Sequence, residues 1–163
     1  MRIHIREHIP SDLAASLDWQ TDPEMGRHLS WLPRTHLDAT ASFQDALHQQ
    51  SVEPRERFYF AVALDETDEM IGDVVYTMDE SGTGRCGWFI RRRYWGHGYA
   101  TEAVATLIDY AFSAQQLETL TASCRSKNVA SRRVMEKNGF LLQEQSDSRL
   151  WFSLTRSDWS SSR

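Results

Sequence analysis

The segment that most restricts the fold runs from Cys86 to Phe112, CGWFIRRRYWGHGYATEAVATLIDYAF. An apolar run ends abruptly in charge, two glycines follow one residue apart, and a helical pattern begins. Gly96 and Gly98 admit backbone angles closed to other residues and remove side chains that would block close approach. Ala100, Ala103, Val104, Leu107, Ile108, Ala111 and Phe112 recur at i, i+3, i+4 spacing, which is one buried helix face, while Thr101, Glu102 and Asp109 fall elsewhere. A strand entering a glycine turn at a helix N-terminus makes an anion site, because free N–H groups point outward and the helix dipole favours negative charge. Arg91, Arg92 and Arg93 add cations beside it, and guanidinium groups match phosphate oxygens. The expected ligand is a phosphate or diphosphate; the plainer alternative is a tight turn flanked by a solvated basic patch.

The rest of the chain suits an α/β (α+β) fold, a mixed, mostly antiparallel central sheet flanked by helices. RIHIREHI alternates with period two and predicts a strand. PSDLAASLDW predicts a helix using Leu13, Leu17 and Trp19, and HLDATASFQDALHQQ a second helix using Ala39, Phe43 and Leu47. RFYFAVAL, MIGDVVYTM and CGWFI, joined by short turns, predict an antiparallel meander. After the glycine turn and its helix come a strand in LETLTASCR and a short helix in NVASRRVMEKNGF. Two more strands follow, in LLQEQ and RLWFSLTRSDW. No linker divides the sequence, so one domain over residues 1–163 is expected.

Charge narrows the partners. Lys and Arg number 18 against 23 Asp and Glu, a net of −5, which argues against nucleic acid. Cys86 and Cys124 make no disulfide framework and read as buried thiols of a reducing cytoplasm. No apolar run approaches a membrane span, and MRIHIREHIP lacks the apolar stretch of a signal peptide. No metal-binding spacing of His or Cys occurs, so no metal is expected. A nucleotide triphosphatase loop would need a lysine that the turn lacks. A dinucleotide fingerprint would need Gly or Ala where Thr101 stands.

RYWGHGYATEAVATLIDYAF resembles the acetyl-CoA-binding segment of the GNAT acetyltransferase superfamily, whose signature Arg/Gln-x-x-Gly-x-Gly/Ala falls on Arg93, Gly96 and Gly98. Its wording is closest to the RimJ/RimL-like branch. NVASRRVMEKNGF resembles that branch's second signature helix, DPEMGRHLSW its early substrate-side segment, and WFSLTRSDW its last strand. The resemblance implies a GNAT-like fold, acetyl-CoA as co-substrate and a primary amine as acceptor, either a protein N-terminal α-amine or a small molecule. It implies no nucleic-acid or membrane partner and either a monomer or a homodimer. The alternative is a sensor that binds acyl-CoA and transfers nothing.

The resemblance also implies roles. Backbone N–H groups from Arg93 through Trp95, Gly96, His97, Gly98, Tyr99 and Ala100 to Thr101 hold the diphosphate. Ile90 and Arg91 lead into the cradle, and at most one of Arg91 and Arg92 faces the nucleotide. An amide on the strand before the turn, at Phe89 or Ile90, donates to the thioester carbonyl. Asn128 contacts the pantetheine arm, and Ser131 is the candidate donor to the sulfur, because the family's usual tyrosine position holds Met135. Asn128 is equally a helix N-cap, and Ser131 equally a harmless first-turn residue. Asp73 is the only charge inside an apolar strand. It is either a water-facing residue at a sheet edge or the base that deprotonates the amine. Trp31, Phe58, Tyr59, Phe60 and Trp88 read as core, with Trp31 also able to wall the acceptor cleft. Neither cysteine has a partnered base, which disfavours an acetyl-cysteine intermediate.

Overall fold

The computed structural model describes residues 2–162. Seven strands make one sheet in the order β1-β2-β3-β4-β5-β7-β6. The strands are β1 (Ile3–Glu7), β2 (Arg57–Leu64), β3 (Met70–Met78), β4 (Thr83–Ile90), β5 (Thr119–Arg125), β6 (Leu141–Gln145) and β7 (Arg149–Thr155). The helices are α1 (Leu13–Gln20), α2 (His36–Gln49), α3 (Tyr99–Asp109), α4 (Val129–Lys137) and α5 (Arg156–Ser161). The expected meander is present as β2, β3 and β4, all antiparallel. Among the described residues only β4 and β5 run parallel, which is what a crossover through α3 requires.

Period-two alternation gives the sheet two faces. One carries Phe58, Phe60, Val62, Val74, Tyr76, Leu120 and Leu154 into a core with Val104, Leu107 and Ile108 of α3 and Phe112 of the π-helical turn that follows it. Every expected position of the α3 stripe is buried except Ala100, which is half-exposed at the start of the helix. The other face is covered by α1 and α2 over only part of its area. Ala39, Phe43 and Trp19 are buried there, while Tyr59, Thr77 and Arg85 lie beyond the helices' cover.

Two expectations change. In α1 the buried side chains are Ser16, Trp19 and Gln20, while Leu13 and Leu17 are half-buried. The helix turns a hydrogen-bonding face inward, with Gln20 Nε2 donating to Ser16 Oγ at 2.8 Å. At the C-terminal end RSDW is not strand: Thr155 ends β7 and caps α5, its hydroxyl accepting from the Asp158 amide at 3.2 Å. That Thr-x-x-Asp pattern is a helix start.

Candidate active site

β4 and β5 pair only over Thr83–Arg85 and Thr119–Thr121, then diverge. The divergence opens onto a cavity of about 630 Å³. Met25, Leu29, Trp31, Tyr59 and Phe89 line one part of it, and Ile90, Trp95, Ala100, Asn128 and Ser131 another.

The two candidate amides of β4 are not equivalent. The Arg91 N–H donates to Ile71 O of β3 at 2.9 Å. Direction alternates along an antiparallel strand, so the Phe89 N–H also turns to β3, and those of Trp88 and Ile90 turn toward the gap. The Ile90 carbonyl faces the same way and accepts from Trp95 Nε1 at 2.6 Å. Phe89 therefore does not offer its amide to the cavity; its contribution is its ring. It stacks on Trp19 with centroids 4.5 Å apart, and Trp31 stands edge-on to both. Gly72 opposite β4 is needed for this approach, because a Cβ there would collide with the Phe89 carbonyl.

Past β4, Gly96 and Gly98 both take left-handed angles, φ 80° and 83°. A Cβ on Gly96 would meet nothing within 4 Å, so the backbone angle, not crowding, demands glycine there. Gly98 is the N-cap of α3, and its carbonyl accepts from the amides of Thr101 and Glu102 at 3.0 and 3.2 Å. The amides of Tyr99 and Ala100 are thus left as the helix's outward donors. Arg2, which sequence reading overlooked, clamps the turn. Its Nη2 donates to His97 O at 2.7 Å, it pairs with Glu102, and it lies 4.6 Å over the Tyr99 ring. No local pattern links Arg2 to residue 97; only the pairing of β1 onto the sheet brings them together.

The three arginines are held by carboxylates. Arg91 is buried, with Nε on Asp18 at 2.7 Å and Nη1 on Glu69 at 3.1 Å and on Met70 O at 2.9 Å. Against the expectation that Arg91 serves the cofactor, its Nε and Nη1 donors are engaged inside the protein. Arg92 pairs with Asp22 at 3.1 Å, and Arg93 pairs with Glu69 and lies 5.0 Å over the Tyr94 ring. Arg93 remains more than half exposed.

Asp73 is neither at an edge nor in the cavity. β3 is an interior strand, and the Asp73 carboxylate is buried, accepting from Trp19 Nε1 at 2.5 Å and lying 2.7 Å from His8 Nε2. The histidine contact is a charge pair, not a well-aligned hydrogen bond. Burial disfavours the His8 imidazolium, but Asp73 and Asp12 outweigh it and hold the group above its ordinary value. Asp73 thereby fixes Trp19, which backs Phe89. It is a positioning residue for the cavity wall.

Asn128 is buried and caps α4, its Oδ1 accepting from the Ser131 amide at 3.1 Å. The Ser131 hydroxyl, on the cavity wall, has no protein partner among the described residues. Met135 is fully buried in the core. Burial pushes the Cys86 thiol up to about 12, and burial likewise raises Cys124 despite Arg149 and Arg132 nearby, so neither is a ready nucleophile. His28 also lines the cavity, half-buried, and belongs to the irregular segment after α1.

Solved acetyltransferases share this architecture. The ribosomal-protein-S5-alanine acetyltransferase of Vibrio fischeri aligns over 98% of this chain and 96% of its own, with TM-score 0.77 and 21% identity. The spermidine N-acetyltransferase of Vibrio cholerae, in complex with CoA and spermine, aligns over 98% of each chain with TM-score 0.84 and 13% identity. Among curated relatives, the uncharacterized N-acetyltransferase p20 of Bacillus licheniformis is 28% identical over 85% of this chain and 79% of its own. The uncharacterized N-acetyltransferase YnaD of Bacillus subtilis is 30% identical over 85% and 78%. The family model described as acetyltransferase (GNAT) domain matches residues 2–141. The chain belongs to that family and is an acetyltransferase.

Proposed function

We propose that the chain moves the acetyl group of acetyl-CoA, the co-substrate of its family, directly onto a primary α-amine. The observation that carries this reading is the divergence of β4 from β5, with the Ile90 amide turned into the gap and the Gly98 turn at its end. In this reading the amides of Gly98, Tyr99 and Ala100 and the side chain of Arg93 hold the diphosphate. Asn128 borders the pantetheine arm. The Ile90 N–H donates to the thioester carbonyl oxygen where charge develops. The amine nitrogen attacks the carbonyl carbon, the C–S bond breaks, and the sulfur leaves as thiolate, hydrogen-bonded by Ser131 and finally protonated to CoA.

The acceptor ammonium must lose one proton before its nitrogen can attack, and the nitrogen gives up a second after attack, which balances the proton taken up by the thiolate. No carboxylate lines the cavity among the described residues, and the His28 imidazole, which lines it, can accept a proton at a ring nitrogen. We assign it as the base, in place of Asp73. An α-amine, with an ordinary pKa near ~8, needs less help than a lysine near ~10.4, which favours the former as acceptor. The same reading puts the protein in the cytoplasm, where its free thiols Cys86 and Cys124 stay reduced.

The test is release of free CoA thiol from acetyl-CoA against a panel of amines and N-terminal peptides. Turnover with an α-amine supports the reading. Tight acetyl-CoA binding with no turnover on any acceptor refutes it in favour of a sensor. His28→Gln should lower kcat by roughly 10²-fold and leave the Kd for acetyl-CoA unchanged. An unchanged kcat would remove His28 from the role.

A further inference from the structure

The cavity carries the opposite charge from the chain. The protein has a net charge of −5, yet the described residues lining the cavity include Arg85, Arg125 and Arg149 and no Asp or Glu. These arginines also differ from most of the others in their partners. Ten of the described arginines lie within ion-pair distance of a carboxylate. Arg85, Arg125 and Arg149 do not. Arg125 Nη1 donates to the Arg27 carbonyl at 2.9 Å, and Arg149 Nη1 to Ser123 Oγ at 3.0 Å, both neutral acceptors. Arg34, which also has no carboxylate within ion-pair distance, lies 4.8 Å over the ring of Trp31 on the cavity wall.

Arg125 and Arg149 stand directly opposite each other on β5 and β7, so their side chains share a face, and like charges so placed cost stability. Both are half-buried, which reduces the water available to screen them. They are not placed for the cofactor turn. Cys124 and Leu150 point into the core beneath α3, so Arg125 and Arg149 point to the other face, toward the Arg27 loop that walls the acceptor side.

We infer that the acceptor amine also carries a negatively charged group, a carboxylate or phosphate, held by Arg125 and Arg149. This rests on the acetyl-transfer reading and names its substrate class. Two guanidinium forks on adjacent strands match an oxyanion. A polycationic acceptor would bring further ammonium groups against three guanidinium groups with no carboxylate to receive them.

The experiment uses the full chain, acetyl-CoA and acceptors matched except for charge: phenylalanine against phenylalaninamide, Ala-Asp-amide against Ala-Asn-amide, and spermidine as polycation. The anionic member of at least one pair should have a kcat/KM roughly 10-fold or more above its neutral partner. The pair that responds tells a free carboxylate from an acidic side chain. Arg125→Gln and Arg149→Gln should abolish that preference and leave the Kd for CoA unchanged. Arg149→Gln should also raise the melting temperature, since a like-charge contact is removed. Equal or better use of the neutral amines or spermidine overturns the inference. So does loss of CoA affinity in the variants, which would give the arginines to the cofactor's phosphates. If no acceptor is acetylated, calorimetry of the same amines with CoA present still decides. Selective binding of the anionic members sustains this inference while refuting catalysis, and no selectivity refutes both.

Discussion

Asp73 illustrates how a single residue gains its meaning from elements distant in sequence. Alternation places it on the α1 side of the sheet, but nothing in MIGDVVYTM announces that Trp19 and His8 will close over it. Asp73→Asn should cost about 1–3 kcal/mol of stability, because a buried charge pair is broken and an indole acceptor weakened. The pH dependence of turnover should stay unchanged, as measured by parallel denaturation and rate profiles. A shifted rate profile would restore Asp73 as base. His8 gives the pH dependence of stability its sign. Its folded pKa is raised above 6.5, so its contribution is fully present below that value. The contribution is lost as pH rises through the folded pKa. The melting temperature should fall across that interval in the native chain and not in His8→Asn. The arginines of the turn carry the same lesson in reverse. Their spacing was legible, but their partners Asp18, Asp22 and Glu69 lie some 20 to 75 positions upstream.

At the scale of elements, the sequence was most readable where the period was long and unbroken. The α3 stripe and the β2–β3–β4 meander are seen as expected, since each residue's burial repeats the same demand. Short elements were not. RSDW has too few residues to show a period, and its cap alone marks it as helix. The divergence of β4 from β5 leaves no sequence trace, because strand pairing is set by what lies on both sides. The turn between them allows a direct test. At Gly98→Trp the left-handed angle disfavours any side chain, and an indole would cover the amides of Tyr99 and Ala100. Acetyl-CoA binding should be abolished, with a cost to folding of only about 1–2 kcal/mol. Unchanged affinity by calorimetry would move the diphosphate elsewhere.

At the scale of the whole molecule, the sheet separates two tasks. One face is apolar throughout and supplies the core with α3; the other is only partly roofed by α1 and α2, and its uncovered portion carries the polar floor of the cavity. The apolar runs marked the central strands but not this division between faces, and Trp31 was readable as a wall of the acceptor cleft. His28 and Arg125 were not, because they come from a loop and a strand end whose meeting depends on the finished fold. The arginine run joins these parts. Arg91 reaches α1 through Asp18, Arg92 reaches the segment after α1 through Asp22, and Arg93 reaches the β2–β3 turn through Glu69. A ligand that settles the glycine turn should therefore also steady the wall of the acceptor side. Such coupling is reciprocal in free energy. Saturating CoA should slow amide hydrogen exchange across residues 22–31 even though no part of the cofactor needs to touch them. Arg92→Ala should uncouple that protection while sparing protection of the turn itself. The run of three cations then makes one prediction for both substrates: each should raise the other's affinity by the same factor.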